Sequence, residues 1–311
     1  MSASGGNKAI VAALVANLGI AIAKFVAFIL TGAASMLAES VHSLADSGNQ
    51  GLLLLGGRKA LRPPTERHPF GYARVRYFWA FVVALVLFSM GGLFALYEGI
   101  EKLRKPHELE SPAIAIGVLV FAILLEAYSL RTAVVETRHV KKPGESYWRF
   151  IKRSKSPELP TVLLEDVGAM VGLVLALLGV VLATVTGADR FDALGSVGIG
   201  ILLVVIAFVL AVEMKSLLIG EAAEPEVIAA LKAAVADGPE VTQILSFRTL
   251  HLGPDDILVA AKVELVAAAD SLEEVAQAID ATEARMRTAC PMAKLIFLEP
   301  DVRHAGTAPA T

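Results

Sequence analysis

The sequence predicts an all-α bundle of six transmembrane helices followed by a cytoplasmic α+β domain with ferredoxin-like order α-β-β-α-β. Three observations lead there. Hydrophobic residues make up 55% of the 311-residue chain and charged residues only 19%, whereas a soluble domain of this size needs charge on about a quarter of its residues. Six stretches each reach the ~20 apolar residues that cross about 30 Å of hydrocarbon. After Gly220 no such run recurs, and short segments with helix or strand patterning take over.

The first span, near 9–30, is longer than the apolar core of a signal peptide and reads as a helix that stays attached. Within it Asn17 suits an interhelical hydrogen bond and Lys24 can extend its stem toward the interface. The remaining spans fall near 36–56, 77–98, 112–134, 161–186 and 193–218. The tail reads helix 225–236, strand 241–251, strand 256–266, helix 271–288 and strand 293–299, with "GPDD" at 253–256 as the hairpin turn. These segments divide the chain into a transmembrane domain 1–219, a cytoplasmic domain 220–300 and a disordered tail 301–311.

Basic residues set the orientation. The connection 57–76 carries Arg58, Lys59, Arg62, Arg67, Arg74 and Arg76, and 135–160 carries seven further Lys and Arg residues. The positive-inside rule places these loops, both termini and the tail in the cytoplasm. The stretch "YWRFIKRSK" in the second loop suits a short interfacial helix against anionic headgroups. The net charge of −3 suggests no nucleic-acid partner, and the single Cys290 excludes an intramolecular disulfide.

Span two holds residues that a bilayer rejects. Glu39, His42 and Asp46 sit at i, i+3 and i+7, on one side of a helix, and span five carries Glu165 and Asp166. A mid-bilayer Asp costs roughly 2.5–3.5 kcal/mol on insertion scales, so these carboxylates need compensation, which a divalent cation held between two helices supplies. One imidazole with carboxylates and no sulfur suits Zn²⁺, and also Mn²⁺, Co²⁺ or Fe²⁺. The metal ligands read from the sequence are His42, Asp46 and Asp166, with Glu165 and then Glu39 as further choices. Asn49 and Gln50 read as interhelical hydrogen-bonding groups. Ligands shed protons to bind metal, and refilling the site with protons spares the return step a bare double negative charge. Metal–proton antiport follows. The alternatives are a membrane sensor or scaffold that binds metal without moving it, or an intramembrane metallohydrolase. No HExxH occurs and His42 is the only span histidine, so the chain reads as a transporter and not an enzyme.

The motifs "MLAESVHSLADSGNQ", "HPFGYARVRYFWAFVVAL", "FDALGSVGIGILL" and "FRTLHLGP" resemble the cation diffusion facilitator family over about residues 8–300. "LLEDVGA" and "YWRFIKRSKSPELP" look closest to its zinc transporter nine-like branch. The resemblance implies a homodimer that exports Zn²⁺ or a similar ion from the cytosol against protons, with metal as cargo and no cofactor. His42 and Asp46 match the family's first ligand pair and Asp166 the second member of the other pair. The remaining ligand position is Val162, which cannot bind metal. Positions aligned with the family's tail metal sites read Leu245, Ala261, Leu298 and Pro300, and His251 is the only tail-sheet histidine, so dimerisation without tail metal is expected. The resemblance matches Arg74 to a basic residue that locks the dimer; its usual acidic partner's position reads Ile219, with Glu213 and Glu221 nearby, and an Arg74–Glu221 link is the expected contact. No targeting segment is evident, so a plasma or bacterial inner membrane is expected.

Overall fold

The computed structural model describes residues 3–105, 111–266 and 271–301, with side chains from Asn17 onward. The expected tail lies, from 302 on, outside the described residues. The chain divides into two compact units, one comprising 1–61 and 75–215, the other 62–74 and 216–311.

The first unit is helical. Helix α1 (Ala3–Thr31) leads into α2 (Ala34–Ala60) and α3 (Val75–Val86), which passes through a π-helical segment, Leu87–Leu93, into α4 (Phe94–Arg104). Then follow α5 (Pro112–Val140), the short α6 (Tyr147–Arg153), α7 (Glu158–Thr186) and α8 (Arg190–Ile219). Helices thus lie at all six expected positions. Four of them, Val75–Arg104, Pro112–Val140, Glu158–Thr186 and Arg190–Ile219, are long and apolar enough to cross a membrane, and Asn17–Thr31 of α1 is a shorter apolar segment. Helix α2 is long enough, but Glu39, His42, Asp46, Asn49 and Gln50 lower its hydropathy. The chain is an integral membrane protein.

Met36, Leu87, Leu119, Leu173, Ile199 and Leu203 fill the unit's buried core. Small residues let the helix backbones approach. A Cβ at Gly99 would lie 2.8 Å from Val197 N and 2.9 Å from Ala193 O, so α4 and α8 touch where only glycine fits. Buried Asp192 of α8 caps α2 from outside that helix. Its Oδ2 accepts from Ala34 N at 2.9 Å and its Oδ1 from Ser35 Oγ, while Lys102 Nζ stands 3.3 Å from Oδ2 and donates to Gly32 O at 2.7 Å. This satisfies helix-end N–H groups that water cannot reach.

In the second unit, α9 (Pro225–Ala236), β1 (Val241–Gly253), β2 (Asp256–Leu265), α10 (Leu272–Ala289) and β3 (Ala293–Pro300) follow in order. The sheet runs β1-β2-β3, with β1 and β2 antiparallel and β2 and β3 parallel. Gly253 pairs with Asp256, so Pro254 and Asp255 form the turn of the β1–β2 hairpin. Alternate β2 residues Ile257, Val259, Ala261 and Val263 point inward, as a period of two requires, onto a core with Leu231, Val235 and Met286. Ser271 opens α10 by accepting from Glu274 N at 3.2 Å, the "S-x-x-E" pattern of a helix start. Gly220 adopts φ +121° directly after α8, a backbone conformation that favours glycine and ends the helix there.

Candidate metal site

Helices α2 and α7 carry the five acidic and imidazole residues singled out by sequence, and they pack against each other within the first unit. Side by side lies a small enclosed cavity of about 10 Å³, near the volume one water needs. Asn17, Ile20, Ser43, Asp46, Gln50, Glu126, Val162, Glu165 and Asp166 line it. Three of the five expected ligands, Asp46, Glu165 and Asp166, therefore meet at one place.

Each carboxylate has its own setting. Glu165, 5% exposed, accepts from Asn49 Nδ2 at 2.6 Å, so Asn49 forms the interhelical bond read from the sequence. Asp166 Oδ2 accepts from Ser129 Oγ of α5 at 3.1 Å. On a regular helix successive residues diverge by about 100°, yet both Glu165 and Asp166 reach the cavity wall. Asp46 lies one turn after His42, and its Oδ1 stands 3.5 Å from His42 Nδ1. That contact is no hydrogen bond, and both nitrogens of the wholly buried His42 and Oδ1 of Asp46 are unbonded among the described residues. The His42 ring lies beside the π segment, where a Cβ at Gly91 would be 3.9 Å from Nδ1. As the side chains stand, no three His, Cys, Asp or Glu groups among the described residues converge tightly enough to hold one ion.

Glu39 points elsewhere. Its Oε2 accepts from Lys24 Nζ at 3.0 Å, and Lys24 also donates to Ser43 Oγ at 2.8 Å. Lys24 is 1% exposed, which corrects the expectation that its stem runs out to the interface. A buried carboxylate one helix away competes better for the ammonium than a distant headgroup does. Glu39 Oε1 faces Gly172 of α7, where a Cβ would come within 2.5 Å of it. Sequence reasoning passed over Glu126 of α5. The available signal was a lone carboxylate inside an apolar span.

In the second unit His251 is buried, with Nδ1 3.1 Å from Gly253 O. Arg74 Nη2 lies close to Gly220, the residue before Glu221, and Nε and Nη2 of Arg74 have no hydrogen bond among the described residues. The "YWRFIKR" run forms α6, with Phe150 and Ile151 buried and Trp148 exposed beneath Lys152, whose ammonium is 5.1 Å from the ring.

Residues 10–219 match the family model described as cation efflux transmembrane domain. The chain is 32% identical over 261 residues to the human protein named proton-coupled zinc antiporter SLC30A9, mitochondrial, covering 84% of this chain and 46% of that protein. It is 27% identical over 262 residues to metal tolerance protein C4 of Arabidopsis thaliana, covering 83% and 57%. Against the cation-efflux pump FieF of Salmonella arizonae it is 27% identical over 286 residues, covering 88% and 87%. The chain spans about half the length of the zinc antiporter relatives it matches. Acidic groups gathered between α2 and α7, apolar helices around them and a match over 10–219 agree: the chain belongs to the cation diffusion facilitator family, close to its SLC30A9 branch, whose members move metal ions as substrate rather than as cofactor.

Proposed function

We propose that the protein exports a divalent transition-metal cation, Zn²⁺ first, from the cytosol in exchange for protons by alternating access. The observation that carries this reading is the meeting of Asp46, Glu165 and Asp166 at one cavity, with His42 beside Asp46. His42, Asp46 and Asp166 are the ligands, Glu165 a further one, and Glu39, held by Lys24, the weakest choice. A neutral imidazole with two carboxylates cancels a divalent charge. Protons taking the metal's place keep the returning site from crossing as a double anion, at about 2.3 kcal/mol per charge per 100 mV. The similar antiporter named for zinc and protons supports both halves of the exchange.

The assembly in this reading is a homodimer of six-span protomers, a transmembrane domain 1–219 and a ferredoxin-like cytoplasmic domain 220–300, with both termini cytoplasmic. Arg74 and Glu221 contribute to the dimer contact. The membrane is the plasma or bacterial inner membrane, although the zinc antiporter relatives carry a mitochondrial name. Val162 in place of a ligand favours a second reading of the cargo, with Mn²⁺, Fe²⁺ or Co²⁺ accepted alongside Zn²⁺. A sensor or scaffold that only binds metal is the competing class. Proteoliposomes with an internal zinc dye separate the two. Zn²⁺ should enter when the lumen is acidic and stop entering when an ionophore collapses the gradient. Zinc bound to the protein without gradient-driven entry would leave the sensor reading and overturn ours.

A further inference from the structure

Building on the transport reading above, we propose that Glu126 of α5 is a metal ligand, supplying the donor that Val162 lacks. Both residues line the cavity that Asp46, Glu165 and Asp166 share. One turn further along α5, Ser129 bonds Asp166, so this face of α5 is fixed against the α7 side of the site. Three of the other carboxylates have hydrogen-bond partners, Lys24 for Glu39, Asn49 for Glu165 and Ser129 for Asp166, while Asp46 Oδ1 has none among the described residues. Among the described residues no hydrogen bond or close ion pair holds the Glu126 carboxylate. An ionisable side chain in an apolar span, turned toward an interior cavity, is costly unless it binds something.

A second observation points the same way. Asp46 lines the cavity, and its Oδ1 and both nitrogens of the buried His42 ring, 3.5 Å from it at Nδ1, have no hydrogen-bond partner among the described residues. Buried polar groups are nearly always partnered, so these call for a partner, and beside a cavity lined with carboxylates a bound cation supplies one. His42, Asp46, Asp166 and Glu126 give one nitrogen and three carboxylates from three helices. That set is richer in oxygen than one with a second imidazole at position 162, and it shifts preference from Zn²⁺ toward harder ions such as Mn²⁺.

The test is calorimetric titration of the full chain in lipid nanodiscs with Zn²⁺ and with Mn²⁺. It compares wild type, Asp46→Ala, Glu126→Gln and Glu126→Gln combined with Val162→His. Glu126→Gln should weaken Zn²⁺ binding by roughly tenfold or more, the loss that even an outer-shell partner carries. Adding Val162→His should restore Zn²⁺ affinity and raise the preference for Zn²⁺ over Mn²⁺ above wild type. Unchanged affinities in Glu126→Gln, with binding still lost in Asp46→Ala, overturn the Glu126 assignment alone. Equal losses for both ions that the histidine does not restore mark a structural role and also overturn it. Wild type that binds neither ion overturns the transport reading itself.

Discussion

Lys24 and Glu39 face each other at 3.0 Å with side chains 1% and 0% exposed, in a place where neither could stand alone. Removing one member of such a pair strands a charge away from water, at a cost of roughly 3–5 kcal/mol, whereas removing both together is far milder. Lys24→Met should therefore lower the thermal midpoint in detergent sharply, and Lys24→Met with Glu39→Gln should recover most of the loss. Additive losses would show that the pair is not coupled. The residues proposed for the site were legible because charge is rare in a span: His42, Asp46, Glu165 and Asp166 stand out from apolar neighbours on sight. Of the carboxylates' partners Asn49 was legible as an interhelical hydrogen-bonding group, whereas Lys24 and Ser129 were not. Whether Lys24 reaches solvent or Glu39 depends on how α1 is rotated against α2, and no local pattern in either helix encodes that. Glu126 was missed because a single carboxylate has no spacing to read.

The helices and strands themselves were well marked. Gly220 at +121°, the Pro254–Asp255 turn and the Ser271–Glu274 start each fix an element end by local chemistry, so the tail elements fall where the sequence placed them. The π segment at Leu87–Leu93 was not legible, since one extra residue in a helical turn leaves no compositional trace. It lies against α8 and beside His42, and close approach there depends on Gly91 and Gly92. Farther along, Gly99→Ala sets a methyl against the α8 backbone, which cannot yield as a side-chain tip can. Overpacking of this kind costs about 1–3 kcal/mol, so the variant should unfold at lower temperature, while Gly19→Ala, with no neighbour within 4 Å, should not.

The link between α5 and α6 adds a pH-dependent element. Arg153 donates to both Glu145 oxygens, at 2.8 and 3.2 Å, and Lys142 N to one of them at 3.1 Å. The Arg153 hydrogen bonds hold the Glu145 carboxyl below its ordinary pKa, against partial burial. Because folding lowers this pKa, the clip contributes fully above the ordinary Glu value of about 4.3 and fades as acid carries pH through the lowered one. Protection from hydrogen exchange over 141–153, relative to the intrinsic rate at each pH, should be high at neutral pH and fall only in acid, and Glu145→Gln should be weakly protected throughout. Protection that survives below both values would contradict the clip.

At the scale of the whole molecule, the sequence carried the family and the division of texture near Gly220, because apolar runs and motif blocks survive without any knowledge of packing. Orientation in the bilayer and the proposed pairing of two protomers depend on lipid and on a second chain, and only the basic loops bear on the first. The proposed transport cycle asks more of the site than binding: in it the groups of α2 and α7 gather on an ion and part again, with protons replacing it. That is the central claim, and variants of both helices test it together. In proteoliposomes with an acidic lumen, Asp46→Ala and Asp166→Ala should each abolish Zn²⁺ entry while reconstituting as efficiently as wild type. Gradient-driven Zn²⁺ entry persisting in both variants would place the ion's path outside α2 and α7 and contradict the account.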